Sequence, residues 1–219
     1  RAYQQGSMIG TPLGPRTPGS DYFEDFWQFL KGFSWSGRRL LEPGCGRGYL
    51  LSRLQQEGAR CQGLEPGPQG RVGATEYGLE IVEDFFPSLQ VQGPYDGIVH
   101  YCLLEHIQDP LAFLQAHHQV LSPQGRLFLA VPNCEPYLES GDLSIFVHQH
   151  WSYFTPDSLR HLLTLAGFRV ERWQRSNFGG LIYVEASPGQ GHSLEPGSAR
   201  GLVEKWQQHL QRGRQLLNT

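Results

Sequence analysis

The chain has 219 residues, enough to bury a full core in one α/β domain, and 39% of them are hydrophobic. With 18 Lys and Arg against 21 Asp and Glu, the net charge is −3 with no basic cluster, which argues against nucleic acid or an anionic membrane as partner. No apolar run approaches bilayer length, no start segment reads as a secretion signal, and Cys45, Cys61, Cys102 and Cys134 are too scattered for a zinc or disulfide framework, so a reducing cytoplasm is the expected location.

Residues 1–20 read as an N-terminal extension, with Gly10 to Ser20 a Gly- and Pro-rich loop and no function placed before Met8. Asp21 to Phe33 then repeats apolar residues at Tyr22, Phe23, Phe26, Trp27, Leu30 and Phe33, the period of a helix with an aromatic face. A first strand, Arg39 to Leu41, leads through a glycine-rich stretch into a helix carrying Leu50, Leu51 and Leu54 that stops at Gly58. The second strand is Ala59 to Leu64, a short helix covers Gln69 to Glu76, the third strand is Leu79 to Val82, and the fourth lies around Ile98-Val99. Asp109 caps the next helix and Pro110 suits its first turn, with Leu111, Leu114 and Leu121 on one face.

After the turn Ser122-Pro123-Gln124-Gly125, a fifth strand runs from Arg126 to Val131 and ends at Pro132-Asn133. A long loop extends to Tyr153, and Thr155-Pro156-Asp157 opens a helix through Leu159, Leu162, Leu163 and Ala166 to Gly167. Phe168 to Trp173 and Leu181 to Ala186 form a closing hairpin around Ser176 to Gly180. The alternation predicts a doubly wound parallel sheet in an α/β domain over residues 21–187, with one antiparallel strand near the C-terminus. Residues 188–219 form a loop and an amphipathic helix with Leu202, Val203, Trp206, Leu210 and Leu217 on its stripe, which needs cover from this domain, further chain or a partner.

The chemistry concentrates in Leu41-Glu42-Pro43-Gly44-Cys45-Gly46-Arg47-Gly48-Tyr49, where glycines between a strand and a helix let a ligand approach the backbone. A dinucleotide fingerprint, G-x-G-x-x-G, would put glycine where Tyr49 stands. Glu65 closes the second strand about 20 residues after the first glycine, the position of a ribose-binding acid. Both a nicotinamide cofactor and S-adenosylmethionine carry a ribose. Glu42 separates them, because it would repel a pyrophosphate and attract a methionine ammonium.

Four segments in this order resemble the class I S-adenosylmethionine-dependent methyltransferases: Leu41 to Gly48, Gly63-Leu64-Glu65, Tyr95 to Ile98 through Leu104-Glu105-His106 to Pro110, and Leu121 to Leu127 through Val131-Pro132-Asn133. The resemblance implies a Rossmann-like seven-stranded sheet, a small-molecule methyl acceptor and S-adenosylhomocysteine as product. It places Glu42, Gly44, Cys45, Gly46 and Gly48 at the methionine part of the cofactor, Glu65 at the ribose, Asp84 and Phe85 beside adenine, and His100, Tyr101 and Cys102 on the sulfonium side. His106 reads as a packed, hydrogen-bonded residue and Asp96 as a structural one.

Methyl transfer needs alignment above all, and a base where the acceptor must lose a proton. His150 with Tyr153, in the loop after the fifth strand, is the candidate pair, since a histidine can take a proton near neutral pH. The run His150, Tyr153, Phe154, Thr155, Ser158, Leu159 resembles a subgroup that includes sugar C-methyltransferases, with Gln149 where that subgroup has Glu, so the acceptor is expected to be a sugar or other polar metabolite. No metal site is expected, because sequence places no third ligand beside His148 and His150. A nicotinamide-dependent oxidoreductase and a non-catalytic cofactor-binding or assembly module are the alternative readings.

Overall fold

Pairs of adjacent apolar residues in the strands give the sheet two greasy faces, and both are covered. The computed structural model describes residues 20–146, 149–191 and 211. Its elements are α1 (Ser20–Leu30), β1 (Arg39–Pro43), α2 (Tyr49–Gln56), β2 (Arg60–Leu64), α3 (Gln69–Tyr77), β3 (Glu80–Val82), β4 (Tyr95–Tyr101), α4 (Pro110–His117), β5 (Leu121–Pro132), α5 (Glu135–Ser140), α6 (Pro156–Leu165), β6 (Phe168–Arg175) and β7 (Leu181–Pro188). One seven-stranded sheet has the order β3-β2-β1-β4-β5-β7-β6. Every pairing from β3 to β5 is parallel, and β7 runs antiparallel to both β5 and β6.

Because side chains alternate along a strand, neighbours go to opposite layers. Leu41, Ile98, Leu127 and Leu129 pack toward Phe113 and Leu114 of α4 and Leu159 and Leu163 of α6. Leu40, Val99, Phe128 and Ala130 meet Phe23, Phe26, Trp27 and Leu30 of α1 and Leu50 and Leu54 of α2. Strand order reverses between β1 and β4, which opens a crevice at their carboxyl ends.

Helix boundaries follow their caps. The Asp109 side chain accepts a hydrogen bond from the Ala112 amide at 3.0 Å, and Thr155 with Ser158 forms a reciprocal capping box at α6. Strand ends shift by one or two residues from the sequence expectation, and three features differ more. The first helix stops at Leu30, and Phe33 packs against Trp35 instead of continuing it. The fifth strand starts at Leu121, since Tyr95 pairs with Leu121 and Gly97 with Arg126, so the expected turn at Ser122 to Gly125 is a bulge inside the strand. The long loop contains α5, which buries none of its residues and so shows no apolar period.

The N-terminal extension through residue 19, His148 and, apart from Gln211, the amphipathic 202–217 segment lie outside the described residues. Among the described residues no helix is long and apolar enough to cross a membrane.

Candidate active site

The turn from β1 into α2 is built on left-handed backbone. Gly44, Gly46 and Gly48 have φ of 66°, 54° and 74°, values that L-residues with a Cβ adopt at a cost. A Cβ on Gly44 would meet Leu103 Cδ1 at 2.6 Å and one on Gly48 would meet Leu79 Cδ1 at 2.6 Å, whereas one on Gly46 would meet nothing within 4 Å. The outer glycines therefore serve packing, and the middle one borders open space. Gly73 of α3 is a fourth member that the sequence did not single out: a Cβ there would lie 1.9 Å from the Arg47 carbonyl oxygen. Its only advance signal was a glycine in the middle of a helix.

Two acids flank the loop. Glu42 is 4% exposed, and its Oε2 has no hydrogen-bond partner. Burial, then the nearby Glu65 charge, pushes its pKa well above the usual carboxylate range. Glu65 accepts from the Gly46 amide at 3.0 Å and the Gly67 amide at 2.8 Å, so the acid fixes the loop's shape. Among the described residues neither acid pairs with Lys or Arg. A buried carboxylate with an orphan oxygen beside a second acid is an unfavourable arrangement that a cationic ligand would relieve. Cys45, buried beside both acids, has its thiol pushed well up by burial and by their charges, and its sulfur packs 2.6 Å from where a Cβ on Gly63 would lie.

The third edge of the crevice is the end of β4. Tyr49 opens α2, and Phe23 of α1 sits 4.9 Å from its ring and 6.0 Å from that of Tyr101, so α1 roofs this end of the sheet. Burial raises the Tyr101 pKa. Cys102 has φ 51°, the one positive φ at a non-glycine among the described residues, and turns the chain sharply into Leu103 and Glu105. His100 departs from its expected role: its ring is fully buried against Phe113 and His117, and burial, then His117, pushes its pKa well down.

Beyond β3, Asp84 shapes its own turn. Its carboxylate accepts from the Phe85 amide at 2.8 Å and the Ser88 hydroxyl at 2.7 Å, and these bonds, Ser88 first, lower its pKa. Phe85 is half exposed at 51%.

After β5 the fold makes a juxtaposition that sequence reasoning missed. Trp151 and Ser152 amides donate to the Glu105 carbonyl at 2.8 and 3.2 Å, tying the loop after β5 to the segment after β4. His150 thereby stands with its ring 4.8 Å from that of His106 and 5.9 Å from that of Tyr153. His106 Nδ1 lies 3.1 Å from the Gln149 carbonyl oxygen and its Nε2 lies 3.9 Å from Glu105 Oε1. Glu105 is 2% exposed, its Oε2 has no hydrogen-bond partner, and burial raises its pKa to about 8. Since Leu103 packs on Gly44, this cluster is two residues along the chain from the glycine loop's own wall.

Across the crevice α1 is clasped to the β6–β7 turn. Asp25 accepts from the Asn177 amide at 2.8 Å, from the Asn177 side chain and from the Tyr183 hydroxyl at 3.1 Å, while Tyr22 lies on Phe178 with ring centroids 4.1 Å apart.

A sequence family described as a methyltransferase domain matches residues 20–172, well over half of the chain. The chain belongs to this family. It is a class I S-adenosylmethionine-dependent methyltransferase. The ubiquinone biosynthesis O-methyltransferase of Xylella fastidiosa strain M23 is 30% identical over 179 residues, covering 66% of this chain and 69% of that one. Two solved structures share the fold. A putative methyltransferase from Haloferax volcanii, in complex with the activator Trm112, has a TM-score of 0.67 at 16% identity, over 79% of this chain and 93% of that one. The Burkholderia thailandensis 1,6-didemethyltoxoflavin-N1-methyltransferase has a TM-score of 0.57 at 17% identity, over 83% and 94%. Family membership sets aside the nicotinamide reading.

Proposed function

We propose that this methyltransferase, with residues 21–187 as its catalytic unit, methylates a small polar acceptor, a sugar or other metabolite, at a heteroatom that must shed a proton. The observation that carries the acceptor side is the tether from Trp151 and Ser152 to the Glu105 carbonyl, which brings His150 and Tyr153 to the β4 end of the crevice. The Xylella fastidiosa relative is named for O-methyl transfer and the Burkholderia thailandensis one for N-methyl transfer to a small molecule, which supports the choice of a heteroatom.

In this reading S-adenosylmethionine, when bound, supplies an already activated methyl group. Glu42 holds its ammonium through the orphan oxygen, with Gly44, Cys45, Gly46 and Gly48 presenting backbone along the methionine part. Glu65 keeps lone pairs for ribose hydroxyls after bonding two amides. Asp84 and Phe85 border adenine, and the His100 main chain with Tyr101 and Cys102 borders the sulfonium. His150 takes the acceptor's proton. Burial, then the His106 neighbour, lowers its pKa below the usual histidine value, so the ring is neutral and ready to accept at neutral pH. Tyr153 shapes the acceptor's seat beside it. A screen of polar metabolites identifies the acceptor, and His150→Ala is then expected to lose at least tenfold in kcat with unchanged affinity for S-adenosylhomocysteine. Unchanged turnover would remove the base role.

A further inference from the structure

We propose that an open apolar pocket between α6 and the edge strand β6 is the seat of the chain's own C-terminal segment, Leu202 to Leu210, with Trp206 as its anchor. Leu159 and Leu163 of α6, Val170 and Trp173 of β6, and Ile182 and Val184 of β7 line the pocket. Its empty volume is about 210 Å³, below the roughly 300–1,000 Å³ of a small-molecule pocket, so it suits one large side chain. Trp173 at its rim is 43% exposed, with the Arg160 guanidinium 5.8 Å from the centre of the ring. An indole left half in water beside a buried apolar floor is a surface that a second aromatic group covers well.

Three observations choose this segment over other occupants. The first is the path of the chain. After β7 the Gly189 amide donates to the Gly167 carbonyl at 2.9 Å, and a Cβ on Gly191 would lie 2.7 Å from Thr164 Oγ1, so the chain crosses the end of α6. Thr164 stands one helical turn, about 6 Å, from Arg160 at the pocket. From Gly191 to Trp206 the chain can span about 40 Å even with Leu202 to Trp206 helical. So short a tether holds the segment at an effective concentration on the order of millimolar, an advantage that no separate partner has.

The second observation is the stripe of Leu202, Val203, Trp206 and Leu210, which needs cover. Gln211, helical and exposed, falls roughly 120° around the helix from that stripe, on the side left to water. The third is charge. Residues 200–219 hold four Lys or Arg and one acid, a net +3, while the rest of the chain holds 14 against 20, a net −6, so the two parts attract.

The test compares the full chain with Trp206→Ala, Trp173→Ala and the double variant. Hydrogen exchange in Trp206→Ala is expected to quicken at least ~10-fold in peptides of α6 and β6 and to stay unchanged in α2 and α3. Unchanged exchange in α6 and β6 overturns the seat. Urea titration gives a second reading: each single variant lowers the midpoint, and the double variant lowers it no further than the larger single loss, whereas additive losses overturn the contact between the two tryptophans. Sedimentation decides whose segment fills the pocket. A monomer with these losses supports the proposal, and a dimer that Trp206→Ala dissolves assigns the pocket to a second copy and overturns it.

Discussion

Replacing Gly73 by alanine sets helix propensity against steric fit in a way the structure decides. Alanine in a helix interior is favoured over glycine by about 1 kcal/mol. The new Cβ, however, would sit 1.9 Å from the Arg47 oxygen and 2.5 Å from its carbonyl carbon, where real Cβ contacts stay beyond 3.0 Å. Helix α3 or the glycine loop must therefore give by more than an ångström (3.0 less 1.9 Å), and the obstacle is backbone, not a flexible side-chain tip. Overpacking of this kind costs about 1–3 kcal/mol, so net destabilisation of about 1 kcal/mol is expected despite the propensity gain. Because Arg47 lies between Gly46 and Gly48, the cofactor should suffer more than the fold: calorimetry is expected to show S-adenosylhomocysteine binding weakened at least tenfold, about 1.4 kcal/mol. Urea unfolding supplies the stability half. A variant with parental affinity and equal or greater stability would refute the claim that α3 rests on the loop's backbone.

Glu42→Gln keeps the shape and removes the buried acid, so cofactor affinity is expected to fall at least tenfold while urea stability holds or rises; a parallel loss of both would mean that Glu42 is a structural residue. Asp25→Ala strands the Tyr183 hydroxyl and the Asn177 groups, and unfolding free energy should drop by about 2 kcal/mol in a denaturant titration. His117 is buried and hydrogen-bonded to the Phe113 carbonyl at 2.7 Å, and burial lowers its pKa from 6.5 to about 4. As pH falls from 6.5 the unfolded chain takes up a proton that the folded chain refuses until pH 4, so stability falls with pH across that window by about 3 kcal/mol. The neighbouring His100 acts in the same direction, and His117→Leu should flatten the acid slope measured by unfolding at pH 4, 5 and 6.5.

Features whose cause is local could be read from the chain. The strand, acid and glycines from Leu40 to Gly48 are adjacent in sequence, and the Asp109-Pro110 and Thr155-Pro156 starts owe their caps to residues within one turn. Helix α5 was missed because an element without a buried face leaves no hydrophobic period. The bulge at Ser122 to Gly125 has correct turn chemistry, but its place inside a strand depends on Tyr95 pairing with Leu121, a partner on another strand. Gly73 and the Glu105, His106 and His150 cluster share that difficulty: each is defined by a contact made only when separate crossovers meet at the sheet's edge. His100 shows the converse, since the motif marks the residue while the alternation of β4 sends its ring into the core.

The Asp25 clasp orders assembly in time. Helix α1 is made before any strand of the sheet, but the groups that satisfy its buried acid, Asn177 and Tyr183, belong to the last hairpin. A nascent chain that has emerged only through β5 already carries the glycine loop, Glu65 and the end of β4, yet the buried Asp25 of its aromatic roof still lacks the groups that satisfy it. The last turn of the sheet is thus also the step that offsets the desolvation of an acid made before any strand.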